Sequence, residues 1–424
     1  MKRQLYSTQE EAAQKNYLIA VYHMELPWKE NVLKIAEKLA VGQTIGTWTE
    51  VPGMTEEFQE KYVGKVVNIY EAPPCELEQR EESPAKSYII EIAYPVVHSA
   101  GSIPMLLTCL LGNDASTSAQ VKLLDIIFPK EYMDRFEGPM WTIGDLRKRR
   151  EAKKRPLLLN MIKPCTGLAP KEGAKIFYQA AAGGADIIKD DELMGNPSYS
   201  SMEQRIKEYR RAAEAAYEES GSRTLYFVNI TGRDENILEG AKRAQECGAD
   251  GIMINFVMAG YGNLAALRKC INLPILVHCA GIGMMAEGKT GGMVSSLALG
   301  KLTRLCGADL VMMNTPYGGY PLTYLRYIQT YLNLTLPFYQ LKKSIPVIGG
   351  GVQPNIVEKY ISELGTDIIL AAGGAIQGHP MGCRAGACAM RQAIECAVEG
   401  IPLEEKAKEC EELSAAIKKW GKAW

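Results

Sequence analysis

The 424-residue chain carries 48 lysines and arginines against 49 aspartates and glutamates, and no block of basic residues marks a nucleic-acid or anionic membrane partner. A chain this long exceeds one ordinary core and predicts two domains, or one barrel with an appendage. Its eleven cysteines are scattered and include no CxxC pair; with no signal-like start at Met1-Lys2-Arg3-Gln4 and no long apolar run, they predict reduced thiols in a cytoplasmic protein that acts on a small partner.

Residues 1–145 alternate strand-like and helix-like segments without a repeat. Tyr17–Glu25 and Ser87–Val96 read as strands and Trp28–Ala40 carries helical spacing, which predicts a small α+β domain. Between them, Gly46-Thr47-Trp48-Thr49-Glu50-Val51-Pro52-Gly53 is a polar, turn-rich loop around one tryptophan, which is either a core residue or a ligand or interface contact. Leu111-Gly112-Asn113-Asp114 is a second such loop. The charged run Arg147–Arg155 reads as a solvated linker face.

From residue 157 the pattern becomes a repeat of apolar strand and amphipathic helix, with strands expected at Leu157–Lys163, Ala185–Asp191, Thr224–Thr231, Asp250–Phe256, Pro274–Cys279, Asp309–Asn314, Ile345–Gly350 and Thr366–Ala372. Gly-Ala-Asp or Gly-Thr-Asp at 184–186, 248–250, 307–309 and 365–367 marks helix ends feeding new strands. Eight such units predict a (β/α)8 barrel over residues 146–424, ending in a helical tail.

A barrel puts chemistry at the C-terminal ends of its strands. The second strand ends in Lys189-Asp190-Asp191-Glu192. Alternation along a strand gives Ile187, Lys189 and Asp191 one face and Asp190 the other. An amine and two carboxylates at one strand end read either as a solvated ion-pair cluster or as a cradle for a hard cation such as magnesium. Strand one ends in Lys163-Pro164-Cys165-Thr166-Gly167-Leu168, and strand five in His278, which is a packed structural histidine or a site residue. Glycines at 349–351 and 373–374 follow strands seven and eight, where a phosphate is commonly held; each cluster could also be only a tight turn. His379 reads as structural.

Taken together, these motifs resemble the large subunit of ribulose bisphosphate carboxylase: the Gly46–Thr49 loop, Gly112-Asn113, KPxxGL at 163–168, GGxDxxKDDE at 183–192, both glycine clusters and Gly378-His379-Pro380. The resemblance implies a ferredoxin-like first domain ahead of the TIM barrel. It further implies a CO2-derived carbamate on Lys189 that holds magnesium with Asp191 and Glu192, Lys163 as the proton-transfer lysine, and substrate contact by His278. Thr47, Trp48, Asn113, Gly350, Gly351, Gly373 and Gly374 would bind substrate and its phosphate. Thr47, Trp48 and Asn113 would come from a neighbouring subunit of a homodimer.

The departures point away from carbon fixation. The loop after strand six, Asn314–Tyr320, has no lysine, and Cys279, Met312 and Cys165 stand where the carboxylases have cations. One phosphate grip persists while the second has lost its charge, so the sequence predicts a monophosphate substrate with an uncharged far end. This pattern is similar to the non-carboxylating RuBisCO-like branch and implies magnesium-dependent enolisation of a phosphorylated keto- or diketo-sugar, with a tautomerase, isomerase or decarboxylase outcome. A true carboxylase, a non-catalytic binding protein and a Schiff-base aldolase using Lys189 are the alternatives.

Overall fold

The computed structural model describes residues 3–49, 51–74, 84–232 and 236–421; Glu50 of the first-domain loop and the last three residues of the tail lie outside these. The chain divides into two units, Met1–Glu137 with Gly281–Ala298, and Gly138–Ala280 with Leu299–Trp424.

In the first unit, Leu18, Ala20, Tyr22, Met24 and Leu26 alternate along β1 (Tyr17–Pro27) and are all buried, as one face of a half-buried strand requires. With β2 (Lys65–Ala72), β3 (Ala85–Pro95) and β4 (Lys122–Ile127) it forms an antiparallel sheet in the order β2-β3-β1-β4. One helix, Val32–Gly42, lies between β1 and β2 in the chain and another, Ile103–Leu111, between β3 and β4, giving the ferredoxin-like arrangement. Side chains of Asn31 and Ser102 cap these helices by accepting from Lys34 N and Met105 N. β2 and β4 are the outermost strands of the sheet, and their mixed burial carries no clean alternation for a sequence pattern to show. The segment Gly281–Ala298 extends one edge: Leu123 N donates to Gly292 O (2.9 Å) and Val294 N to Leu123 O (3.0 Å).

The second unit is a closed parallel barrel of β5 (Leu157–Met161), β6 (Ile187–Lys189), β7 (Leu225–Asn229), β8 (Gly251–Asn255), β9 (Ile275–His278), β10 (Leu310–Met313), β11 (Ile345–Ile348) and β12 (Ile369–Ala372). Its strands are buried almost throughout, so they appear in the sequence as continuous apolar runs. Each ladder is shorter than its apolar run because the pairing stops where the chain turns into the loops at the barrel's ends.

The four Gly-X-Asp steps form a repeated device at the starts of alternate strands. Gly184, Gly248, Gly307 and Gly365 all have φ between 76° and 99°, the left-handed conformation that ends a helix. Asp186, Asp250 and Asp309 then accept the backbone N–H of the neighbouring strand, from Leu158 (2.8 Å), Tyr226 (3.0 Å) and Ile275 (2.8 Å). Each aspartate also takes an arginine: Arg155 on Asp186, Arg149 on Asp250, Arg268 on Asp309 and Arg147 on Asp367, at 2.7–2.8 Å.

This corrects the reading of Arg147–Arg155 as a solvated face. Arg147, Arg150 and Arg155 are buried, because their stems follow apolar surface while their guanidinium groups meet these carboxylates. Asp186 is fully buried between Arg150 and Arg155.

A candidate active site at the ends of the barrel strands

Side-chain parity along β6 divides the acidic run as alternation predicts. Asp190 turns outward and is held by Arg205 Nη2 (3.1 Å), Tyr226 OH (2.7 Å) and Asn229 N (3.0 Å). Burial raises the Tyr226 pKa well above its usual value, with Asp190 adding to the effect, so the phenol stays a donor. Arg205, itself fully buried, also donates to Gly195 O (2.6 Å) and Ser200 O, which ties the loop after β6 to the helix Met202–Ser220. Asn229, at the end of β7, donates from Nδ2 to Asp191 O (3.3 Å) and Glu192 O (3.2 Å).

With the backbone fixed in this way, Lys189, Asp191 and Glu192 face the other side. Lys189 is fully buried; its Nζ donates to Asp190 O (3.0 Å) and lies 3.9 Å from Glu192 Oε2. Burial lowers the Lys189 pKa, with the three neighbouring carboxylates opposing. Lys163 Nζ, from the end of β5, lies 2.6 Å from Asp191 Oδ2 and 2.9 Å from Cys165 Sγ. Burial works against its charge, but the ion pair prevails and Lys163 is held above the usual lysine value, opposite to the lowering expected of a buried catalytic lysine.

His278 completes the group, with Nε2 3.4 Å from Glu192 Oε2. Its Nδ1 accepts from Ala280 N (3.2 Å), so the proton of the neutral ring sits on Nε2 and faces the carboxylate. Burial, helped by Lys189, pushes its pKa down to about 3. The functional reading of His278 therefore has a geometric partner.

Gly350, Gly351, Gly373 and Gly374 line, with Lys163, a cavity of about 290 Å³. A Cβ on Gly373 would stand 3.6 Å from Lys163 Cε, so the lysine stem runs alongside this loop. Gly350 and Gly351 have φ of 90° and 125°, and Gly319 N donates to Gly350 O (2.7 Å), fastening the loop after β10 to them.

Thr47, Trp48 and Asn113, expected from the sequence to bind substrate, belong to the first unit. Trp48 is 47% exposed and so is not a core residue, and Asn113 is also exposed. His379 is structural: Nε2 meets Glu412 O (3.0 Å) and the ring packs on Trp420.

Arg205, Tyr226 and Gln377 carry site geometry that sequence reading did not find. Gln377 donates from Nε2 to Asn160 Oδ1 and Met161 O (both 3.0 Å) and accepts from Lys163 N, locking the end of β5. Only Asp190 left a signal, through its parity.

Among the described residues no group of three or more His, Cys, Asp and Glu is arranged to hold a metal ion. Asp191 and Glu192 offer hard oxygen donors beside Lys189, whose amine is not an oxygen ligand. A carbamate on Lys189 would add the missing anionic oxygen, and that donor set fits a hard cation such as magnesium.

The barrel with a lysine–carboxylate cluster at its strand ends defines a class, and comparison with known proteins names it. Residues 142–420 match the ribulose bisphosphate carboxylase large chain catalytic domain, and residues 5–132 match the N-terminal domain of the same chain. The chain belongs to the ribulose bisphosphate carboxylase large-chain family and falls with its RuBisCO-like members. It is 41% identical to a ribulose bisphosphate carboxylase-like protein of Archaeoglobus fulgidus, over 91% of this chain and 89% of that one. It is 37% identical to the 2,3-diketo-5-methylthiopentyl-1-phosphate enolase of Geobacillus kaustophilus, over 92% and 95% of the two chains. The crystal structure of a rubisco-like protein, MtnW, from Alicyclobacillus acidocaldarius superposes with a TM-score of 0.88 at 33% identity, covering 96% of this chain and all of the other.

Proposed function

We propose that this protein enolises a phosphorylated keto- or diketo-sugar without fixing CO2. The observation that carries this reading is the convergence of Lys163, Lys189, Asp191, Glu192 and His278 at the ends of three strands, beside the glycines after β11 and β12. The named activity of the Geobacillus relative supports a 2,3-diketo monophosphate with a thioether tail as the substrate class. Met312 on β10 and Cys279, just past β9, are buried and uncharged, which suits an uncharged far end.

Magnesium bound by Asp191, Glu192 and a Lys189 carbamate would polarise the substrate carbonyl and stabilise the negative charge that develops on it. The chain's own groups do the rest. Lys163 Nζ, whose charge Asp191 maintains, is the acid that gives a proton to the carbon next to the carbonyl, and the Lys189 carbamate is the candidate base. His278 Nε2–H, 3.4 Å from Glu192 Oε2, would contact substrate oxygens. The glycine backbones approach the phosphate closely because they have no Cβ. The active assembly is a homodimer in which each site takes the partner subunit's Thr47, Trp48 and Asn113. It works in the cytoplasm; among the described residues no helix is long and apolar enough to cross a membrane.

The test is deuterium exchange followed by NMR, with 2,3-diketo-1-phosphates and ketose phosphates in D2O containing magnesium and bicarbonate. Deuterium should enter next to the carbonyl with wild type and not with Lys189→Ala or Lys163→Ala. Absence of exchange across the panel, together with fixation of CO2 onto ribulose bisphosphate, would overturn the reading.

A further inference from the structure

The cavity beside Lys163 has a wall from the far end of the sequence: Lys419 and Trp420, the last two residues of the helix Glu411–Trp420. That helix is built into the barrel. Leu413 and Ala416 are buried, His379 Nε2 meets Glu412 O, Gln392 Nε2 donates to Glu412 Oε2 (3.1 Å) and Asn355 Nδ2 donates to Trp420 O (3.2 Å). Its end is therefore held in place at the cavity.

Charge decides what this wall can do. None of the described residues lining the cavity is acidic, and two are cations. One of these, Lys163, already has its charge compensated by Asp191 at 2.6 Å. The other, Lys419, donates to Gly378 O, just past the turn that begins at Gly374, and its Nζ lies 5.2 Å from the centre of the Trp420 ring. An ammonium has three donors, and among the described residues no carboxylate pairs with Lys419. A phosphate dianion entering between Gly350–Gly351 and Gly373–Gly374 needs such a cation, since backbone amides alone leave its charge poorly compensated.

We propose that Lys419 is the cation of the phosphate subsite and that Trp420 fixes its ammonium there, making the C-terminal helix part of the active site. This rests on the phosphosugar reading of that site, so the test separates the two. Inorganic phosphate is titrated calorimetrically into the full chain as wild type, Lys419→Met and Lys419→Arg, and the same proteins are assayed for exchange. Loss of one charge-assisted bond should raise the phosphate Kd and the KM of Lys419→Met by about 10-fold or more. Lys419→Met should keep the wild-type circular-dichroism spectrum, and Lys419→Arg should recover most of the affinity. Equal phosphate affinity in wild type and Lys419→Met, or no phosphate binding by wild type, overturns the assignment. Phosphate binding that depends on Lys419 in a protein with no enolising activity would uphold the subsite and remove the enolase reading instead.

Discussion

Lys163 Nζ and Asp191 Oδ2 lie 2.6 Å apart, with the carboxylate side chain 1% exposed and the lysine side chain 38% exposed. The pair joins the end of β5 to the end of β6 and gives Asp191 its counter-charge. Replacing Lys163 with methionine keeps the stem but strands a buried carboxylate. We expect Lys163→Met to lower the exchange rate by about 10²–10⁴, the range for a lost acid–base group. Part of the stability should go too, about 1–3 kcal/mol, below the cost of breaking a fully buried pair because Lys163 is partly open. Adding Asp191→Asn should return much of the urea stability and none of the activity. A double variant no more stable than Lys163→Met would show that the pair is not what holds the two strand ends.

A second network acts behind the site. Asp190 joins fully buried Arg205, the Tyr226 hydroxyl and Asn229 N, and so sets the backbone from which Lys189 and Asp191 project. Asp190→Asn leaves the arginine charge without compensation and should cost about 3–5 kcal/mol. Tyr226→Phe removes one hydrogen bond to a charged acceptor and should cost about 1.5–3 kcal/mol. Chemical denaturation reads both; equal stability of Asp190→Asn and wild type would remove the network from the account.

How legible these features were depended on how far apart in sequence their parts lie. The barrel could be read because its buried strands are apolar runs punctuated by Gly-X-Asp, and the KDDE cluster because alternation along β6 sorts its side chains. The outer strands β2 and β4 have mixed burial with no clean alternation, which left no period-two pattern to read. Arg147, Arg150 and Arg155 looked like a solvated run because their aspartate partners, Asp186 and Asp367, sit far down the chain. Arg205 and Gln377 were illegible because much of their bonding is to backbone oxygens, Gly195 O and Met161 O among them, which leave no mark in a residue pattern.

Gly373 separates fold from ligand. Its φ is negative, and an added Cβ would make only ordinary contacts, 3.6 Å from Lys163 Cε and 3.7 Å from Met161 Sδ. Gly373→Ala should thus fold with an unchanged thermal midpoint. If a phosphate lies against this backbone the methyl intrudes on it, and KM should rise about 10-fold, the loss of one charge-assisted hydrogen bond. An unchanged KM would move the phosphate elsewhere.

Acid sensitivity has a component outside the site. Asp145 closes a capping box on the helix Ile143–Arg150, accepting the Thr142 hydroxyl (2.7 Å) and its backbone N–H (2.8 Å). These bonds favour the carboxylate and lower the Asp145 pKa, the hydroxyl contributing most. For an acid with a depressed native pKa, the unfolded chain binds protons first. Its stabilisation is then full above the ordinary aspartate value near 4 and is lost as pH falls through the native value. Asp145→Asn should cost about 0.5–2 kcal/mol at pH 7, the worth of a cap, and progressively less as the pH falls below about 4. A difference from wild type that stayed constant across that range would exclude the capping carboxylate as its source.

The final prediction concerns Lys189, whose amine is enclosed by protein yet set beside two carboxylates. Attack of the neutral amine nitrogen on CO2, with loss of one proton to solvent, would turn it from a repeller of cations into an anionic oxygen donor. Magnesium binding should then depend on bicarbonate, and ¹³C-bicarbonate should give a carbamate resonance that magnesium strengthens. Lys189→Arg keeps a cation but cannot form that group, so it should lose the resonance and bind magnesium at least ~10-fold more weakly, since one anionic ligand of a hard cation is missing. Asp191→Asn and Glu192→Gln should weaken magnesium binding and leave a weaker, bicarbonate-dependent resonance. Chelation should stop exchange in wild type, with recovery on adding magnesium and bicarbonate together. Magnesium affinity indifferent to bicarbonate and to Lys189→Arg would mean that Asp191 and Glu192 hold the ion without it.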